Sequence, residues 1–303
     1  MSTAQKLHPV FGGLSGRSMR SVAKLQPNTP LVVAIHGGTY TSAYFDVPGC
    51  SLFDTAAAFG IPIVAPDRPG YGDSPALPPS EMTITGQARH LVATLSDAWQ
   101  RHGAGTCGIV LIGHSIGAAI AAVMAGLVAV EGHDLPLLGL AISGIGLKTP
   151  PEHKPLWEQL PDTPVVHMPP GVKDAVMFGP QGSFDPQLAR ASTMADVGAP
   201  KVELVDIVTA WEPRAHERLA RIKVPVHYRQ GEFDHLWIVD AGEISGFARA
   251  LSGSSRVDAQ MMRGTGHCMD FHHIGRALQV QQMGFALQCA AERHVTAVMA
   301  VGD

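Results

Sequence analysis

Apolar residues in this chain fall into short, nearly unbroken blocks, separated by stretches in which they recur every three or four positions. The blocks at 31–35, 61–65, 108–112, 137–143 and 224–229 are built mainly from Leu, Val, Ile and Ala. Apolar runs without polar alternation are the pattern of strands buried on both faces, as in a parallel sheet. A sixth run at 256–262 carries more polar residues and predicts a weaker strand. Between the blocks, helical spacing predicts helices over 51–59, 84–101, 116–131, 239–251 and 274–295. Strands alternating with helices imply an α/β protein with a doubly wound, mostly parallel sheet and sites at the strands' carboxyl ends. Gly12, Gly13 and Gly16 fit an early hairpin or loop.

The pattern breaks between about 148 and 214. Pro150, Pro151, Pro155, Pro161, Pro164, Pro169, Pro170, Pro180, Pro186 and Pro200 crowd this stretch. Proline lacks the N–H that a central strand must donate, so the segment cannot extend the sheet. It is also too long for a plain connection, and long excursions in compact domains are usually lids or binding elements. The expected organisation is a core domain made of 1–147 and 215–303, with 148–214 inserted as a cap after the strand ending near Ser143. Short helices are predicted near 186–195 and 200–210. Trp157, Met168, Val176, Met177, Phe178, Phe184, Met194 and Trp211 either line the underside of this cap or fasten it to the core.

The block at 108–112 runs into Gly113-His114-Ser115-Ile116-Gly117, followed by a helix of small residues. A serine on a sharp strand-to-helix turn has its hydroxyl held out of the packed layers, and flanking glycines let the backbone take that turn. The unpaired N–H groups of the following helix face developing negative charge. Ser115 is therefore a candidate nucleophile. His267, on the glycine-rich stretch Arg263-Gly264-Thr265-Gly266-His267, is a candidate base, since imidazole can take the serine proton and return it. Asp234, in Gly231-Glu232-Phe233-Asp234 after the strand at 224–229, is a candidate orienting acid. Glu232 competes with it for that place.

These motifs, with His36-Gly37-Gly38 after the first long strand and Asp67-Arg68-Pro69-Gly70-Tyr71-Gly72-Asp73-Ser74 after the next, resemble the α/β-hydrolases of the capped, esterase- and lipase-like type. The order Ser, Asp, His is that family's order. The resemblance covers nearly the whole chain. It implies that Ser115 attacks, that His267 serves as base and then acid, and that Asp234 fixes the imidazole tautomer. It favours Asp234 over Glu232, because the family's acid sits three residues after the glycine. Some relatives take the acid from the end of the preceding strand, but Ser143-Gly144-Ile145-Gly146-Leu147 offers no carboxylate. It implies an oxyanion hole of the Ile116 and Gly38 amides, with Thr39 as the rival second donor. Thr39 also stands where the hormone-sensitive-lipase-like enzymes carry a third glycine, which places the chain in the ordinary His-Gly-x group. Tyr44, Trp157, Met177, Phe178 and Trp211 are the candidate substrate contacts. Tyr40 shares the alternatives of Tyr44, substrate or packing. His36, His114, Asp67, Arg68 and Asp73 are expected to hold turns.

Composition narrows the function further. Of 303 residues, 46% are hydrophobic and 16% charged, with 22 Lys and Arg against 26 Asp and Glu. No basic block points to nucleic acid or an anionic membrane. The apolar stretch 109–130 mimics a membrane span, but Gly113, His114, Ser115 and Gly117 interrupt it, and both halves fit a buried strand and helix. Cys50, Cys107, Cys268 and Cys289 lack C-x-x-C spacing, which argues against a zinc ribbon or a disulfide scaffold. The run His267-Cys268-Met269-Asp270-Phe271-His272-His273 has no distant partner to complete a metal site. No metal and no cofactor are expected. The first nine residues lack a leader pattern, so the cytoplasm is the expected address. Homo-oligomerisation stays open, with the last helix expected to cover the sheet.

The expected function is a serine hydrolase that cleaves a carboxylic ester of a small or medium, partly apolar molecule through an acyl-serine. The same fold acting on a lactone, thioester, amide or C–C bond is one alternative. A ligand-binding receptor on a hydrolase scaffold is another.

Overall fold

A computed structural model describes residues 3–20, 25–133 and 135–301. The outermost ends of the expected core domain, residues 1–2 and 302–303, lie outside the described residues. Eight strands form one sheet: β1 (Gln5–Phe11), β2 (Leu14–Met19), β3 (Leu31–Ile35), β4 (Ile63–Pro66), β5 (Ile109–His114), β6 (Leu137–Ser143), β7 (Val226–Gly231) and β8 (Val257–Met262). Their order is β1-β2-β4-β3-β5-β6-β7-β8. β1 and β2 make an antiparallel hairpin through Gly12 and Gly13, both at positive φ, and β2 runs antiparallel to β4. All other neighbours are parallel. The sheet is thus α/β, doubly wound and mostly parallel, as the apolar blocks predict.

The blocks are unbroken because both faces are covered. Along β3, Leu31, Val33 and Ile35 join one core cluster while Val32 and Ala34 join the other. β5 repeats this, with Ile109 and Leu111 on one side and Val110 and Ile112 on the other. The first face is covered by α2 (Ile84–His102), α3 (Ile116–Glu131) and α9 (Ala241–Ala250). The second is covered by α1 (Leu52–Ala58) and α10 (Gly275–Val301). α3 is buried on nearly every side, which accounts for its membrane-like hydropathy. No helix among the described residues is long and apolar enough to cross a membrane.

The chain leaves β3 for β4 on one side and then returns to β5 on the other. That reversal opens a crevice at the carboxyl ends of β3 and β5, the usual place for a ligand in open α/β sheets. The elbow after β5 and the loop after β3 meet there.

Between β6 and β7 the chain makes its long excursion. It holds α4 (Lys154–Glu158), α5 (Pro170–Met177), α6 (Pro186–Ser192) and α7 (Lys201–Asp206), which continues as a π-helical turn over Ile207–Trp211, then α8 (Ala215–Ala220). None of it joins the main sheet; Val165–Val166 pairs with Ala199–Pro200 in a ladder of its own. The prolines that bar strands here open helices instead. Pro155, Pro170 and Pro186 stand in first turns, where no intrahelical N–H is needed. α6 and α7 fall within the helices predicted from sequence; α4 and α5 are too short to show a period.

Candidate active site

Ser115 stands between β5 and α3 at φ 57° and ψ −128°, a backbone region that a residue with a side chain rarely adopts. Close packing enforces the turn. A Cβ on Gly117 would lie 2.2 Å from the Ile35 carbonyl oxygen, and one on Gly113 would lie 2.7 Å from the Ala118 Cα. The Ser115 amide donates to the Ser143 carbonyl at 2.8 Å, which ties the elbow to β6.

His267 Nε2 lies 2.8 Å from Ser115 Oγ, and His267 Nδ1 lies 2.7 Å from Asp234 Oδ2. Asp234 is itself held on both oxygens. Gln230 Nε2 donates to Oδ2 at 2.7 Å and the Leu236 amide donates to Oδ1 at 2.9 Å. Glu232 is engaged elsewhere: its Oε2 accepts from the Gly264 amide at 2.8 Å, clasping the acid turn to the histidine loop. The structure therefore brings Ser115, His267 and Asp234 together and leaves Glu232 outside. Gly144, at φ 66°, gives the imidazole room, since a Cβ there would lie 3.2 Å from His267 Cε1. Sequence reasoning did not single it out.

The two glycines of the loop after β3 press against the elbow. A Cβ on Gly37 would lie 2.9 Å from Ser115 Cβ, and one on Gly38 2.9 Å from Ile116 Cδ1. Thr39 takes φ 61° and its backbone lies beside the Tyr71 hydroxyl. The Ile116 amide opens α3, ahead of the Ala118 and Ala119 amides that return to the Ser115 carbonyl.

His36 and His114 are buried and serve locally. Burial, with the Arg68 charge, holds His36 well below its ordinary pKa, while its Nδ1 donates to the Gly37 carbonyl at 2.8 Å. Burial, with His267 and His36 nearby, does the same to His114, which stacks on Tyr44 at 4.6 Å. The 267–273 run is internal bracing. His272 Nε2 accepts the Gly179 and Gly266 amides, each at 2.9 Å, and Asp270 accepts the Tyr44 hydroxyl at 2.9 Å. Burial pushes the Cys268 thiol up to about 12, so it is a packed group with little thiolate. Among the described residues no three His, Cys, Asp or Glu side chains are grouped to hold a metal ion.

A cavity of about 50 Å³ adjoins Ser115, Ile116, Gly38 and Thr39. Its remaining walls are mostly apolar. Trp157, Met168, Val176 and Met177 come from the excursion, as do Leu204, Ile207 and Val208, while Leu236 and Trp237 follow the acid turn. Of the five candidate substrate contacts, Trp157 and Met177 line it. The other three do not line it. Tyr44 is buried beneath His114 and bonded to Asp270, Phe178 packs on Phe184 and Phe271, and Trp211 is fully buried with its Nε1 donating to the Gly146 carbonyl at 2.9 Å. Each satisfies a packing or hydrogen-bonding need away from the cavity. Leu236-Trp237 was missed, although a bulky apolar pair two residues after a strand-end acid is a readable sign. Larger grooves of about 560 and 870 Å³ lie elsewhere on the surface, and Ser115 lines neither.

Comparison with known proteins covers the same ground. The family model described as the alpha/beta hydrolase family matches residues 32–278. No curated protein matches the chain. Among solved structures, a thermophilic esterase from Thermogutta terrifontis is similar at 18% identity and TM-score 0.61, over 93% of this chain and 97% of the other. The monoacylglycerol lipase of Paleococcus ferrophilus is similar at 18% identity and TM-score 0.59, over 86% and 96%. A thioesterase domain from the curacin biosynthetic pathway is similar at 17% identity and TM-score 0.57, over 93% and 99%. At such identities the likeness is one of fold.

Proposed function

The chain belongs to the alpha/beta hydrolase family, and from that premise we propose that it is a serine hydrolase of carboxylic esters with short acyl groups. The observation that carries the proposal is the continuous chain from Asp234 through His267 to Ser115 Oγ, with contacts of 2.7 and 2.8 Å, at the mouth of an apolar cavity. In this reading His267 Nε2 takes the hydroxyl proton as Oγ attacks the ester carbonyl carbon. The tetrahedral oxyanion is met by the Ile116 and Gly38 amides. Its collapse breaks the carbon–oxygen bond, and His267 returns the proton to the leaving alcohol. Water, deprotonated by His267, then attacks the acyl carbon; the acyl–Oγ bond breaks, His267 returns that proton to Ser115 Oγ, and the acid leaves. Asp234 holds the Nδ1 proton throughout and stabilises the imidazolium.

The cavity sets the substrate's scale. One water-sized molecule needs roughly 10–15 Å³ of such space, so about 50 Å³ takes three to five heavy atoms. Nothing charged lines it, which favours a short, neutral, apolar acyl group. Residues 148–214 act as its cap in this reading, because Trp157, Met177 and Leu204 are among its walls.

The test has two steps. A fluorophosphonate probe should add one label by intact mass, absent in Ser115→Ala, and that variant should lose about 10⁴–10⁶ in turnover. A series of p-nitrophenyl esters should peak between acetate and butyrate and fall toward decanoate. Thioesters and lactones of matching size complete the panel. Unlabelled protein, or Ser115→Ala with native turnover, refutes the assignment.

A further inference from the structure

The loop that carries the Gly38 amide is held by Arg68, from the turn after β4, and by Lys173 of the excursion, and Arg68 is itself braced by the excursion's Glu203. The first grip runs through Arg68, which is fully buried. A guanidinium has five N–H groups, and all five are placed. Nε donates to the His36 carbonyl at 2.9 Å and Nη2 to the Gly37 carbonyl at 3.0 Å. Nη1 and Nη2 form a fork on Glu203 of α7 at 2.6 and 3.1 Å, and Nη1 also reaches Gln87 Oε1 at 2.6 Å. Glu203 is equally saturated: besides Arg68 it accepts the Tyr71 hydroxyl and, at 2.8 Å, Gln87 Nε2. Burial pushes its carboxyl up, but Arg68 with the Tyr71 and Gln87 bonds outweighs it and leaves the group below its ordinary pKa, so the pair is ionic.

The second grip comes from α5. Lys173 Nζ donates to the Thr39 carbonyl at 2.9 Å, pairs with Asp196 and stands 3.6 Å from the centre of the Tyr40 ring. The Val197 amide reaches the same carbonyl at 3.1 Å, and the Thr41 amide donates to the Ala195 carbonyl at 3.0 Å.

In a trans peptide the N–H points opposite the preceding C=O. Fixing the Gly37 carbonyl on Arg68 therefore aims the Gly38 N–H. We propose that Glu203 and Lys173 are positioning residues of this reaction: Glu203 through Arg68, and Lys173 directly, fix carbonyls of the loop 36–41 and make the oxyanion donor dependent on a seated excursion. The two grips flank Gly38, one on the Gly37 carbonyl and one on the Thr39 carbonyl. The dependence has a direction. Displacing α7 removes Glu203 from Arg68, and a lone buried guanidinium cannot stay where it is. Productive geometry then exists when α5 and α7 lie closed over the cavity, and oxyanion stabilisation is lost when they lift. This inference rests on the ester-hydrolase reading for its chemistry and on the grips alone for its mechanics.

Glu203→Gln and Lys173→Met test it with two readouts. Hydrogen exchange of the peptide spanning 36–41 should speed at least tenfold in each variant, with β5 and α3 peptides unchanged. In kinetics, kcat should fall about 10- to 100-fold with KM within threefold, a part of the 10²–10³ attached to a whole oxyanion donor. The inhibition constant of a short-chain trifluoromethyl ketone, whose hemiketal places an oxyanion in the hole, should rise by the same factor as kcat falls. Should Glu203→Gln fail to fold, the double variant Arg68→Met with Glu203→Leu replaces the pair by apolar groups of similar size; it is expected to fold with kcat still low. Unchanged exchange at 36–41, or a loosened loop with native kcat and inhibitor affinity, overturns the proposal. Faster exchange at 36–41 in a protein whose wild type neither cleaves esters nor binds the ketone refutes the ester-hydrolase reading and leaves the grip standing.

Discussion

The two sides of Ser115 are built in different ways. On the base side, His267 is held by Asp234, and Asp234 by Gln230, near the end of β7, and by the Leu236 amide, so that the group gathers at the ends of neighbouring strands β7 and β8. That side meets the excursion at its backbone, where the Cys268 amide donates to the Met177 carbonyl at 2.9 Å. On the oxyanion side, the loop after β3 is held through buried charges whose partners, Glu203 and Lys173, sit more than a hundred residues away in the excursion. In the proposed reaction, proton transfer is thus preorganised at the strand ends, while stabilisation of the developing charge depends on the segment that also walls the cavity. A fold can keep its proton relay constant and let a variable insert decide when, and on which acyl group, the oxyanion is rewarded.

The sharpest break of this comparison is on the base side. Asp234→Asn keeps the size of the side chain but can offer its amide N–H to His267 Nδ1, which favours the wrong tautomer. Its kcat should fall about 10⁴-fold. Glu232→Gln, which touches the Gly264 amide and not His267, should stay within a few-fold of wild type. Steady-state kinetics of the two variants decide the matter, and the reverse ranking would hand the acid's role to Glu232. The expected fall is far larger than the 10- to 100-fold for Glu203→Gln, because Asp234 acts on the proton relay directly whereas Glu203 acts through Arg68.

The same asymmetry explains what the sequence disclosed. Every base-side residue lies in a short local motif at a strand end, where glycine spacing marks the turn: Gly113 and Gly117 around Ser115, Gly231 before Asp234, Gly266 before His267. Strand cores were legible because burial on both faces leaves unbroken apolar runs. Even the half-exposed edge strand β8 was recognisable, though weaker. The oxyanion side was half legible. His36-Gly37-Gly38 is a local pattern, but Arg68 reads as a turn residue until its guanidinium is seen to reach two carbonyls. Glu203 and Lys173 carry no local sign at all. They sit on helices of six and eight residues among prolines, too short for a period, and their partners are fixed by tertiary packing. Tyr44, Phe178 and Trp211 misled for a related reason, since large aromatic residues near a site satisfy the core as readily as a ligand.

Acid adds a second axis to the comparison, because both sides bury a neutral histidine: His36 beneath the oxyanion loop and His114 behind the base. A third, His227, lies farther off in β7, where burial first and then the Arg229 charge lower it to about 4. In the unfolded chain each titrates near 6.5. Above that pH all three are neutral in both states and stability is level. As pH falls below 6.5 the unfolded chain takes up protons that the folded chain refuses, so stability drops by up to about 1.4 kcal/mol per pH unit for each histidine. Glu203, held below 4.5, keeps its contribution until the pH falls beneath that value. Urea unfolding between pH 7.5 and 5 should show a plateau and then a decline; a flat profile would mean that these histidines find charged partners.

The finest division of the oxyanion side concerns one hydroxyl. Tyr71 donates to Glu203 and faces the Thr39 amide, while its ring lies 4.9 Å from His36 and 4.6 Å from the Arg68 guanidinium. Tyr71→Phe retains those ring contacts and removes the hydroxyl alone. One lone pair of Glu203 then loses its donor and the Thr39 N–H its neighbouring oxygen, which should cost about 1–3 kcal/mol of stability. The Gly37 carbonyl keeps Arg68 throughout, so the Gly38 amide stays aimed, and kcat should fall by no more than about threefold to tenfold if Gly38 is the donor. The freed Thr39 amide makes the experiment discriminating. If Thr39 can serve as donor once Tyr71 releases it, kcat and affinity for the trifluoromethyl ketone will rise instead, and the hole belongs to Thr39. A small loss in both places it with Gly38, because an amide that was committed to Tyr71 had nothing to contribute.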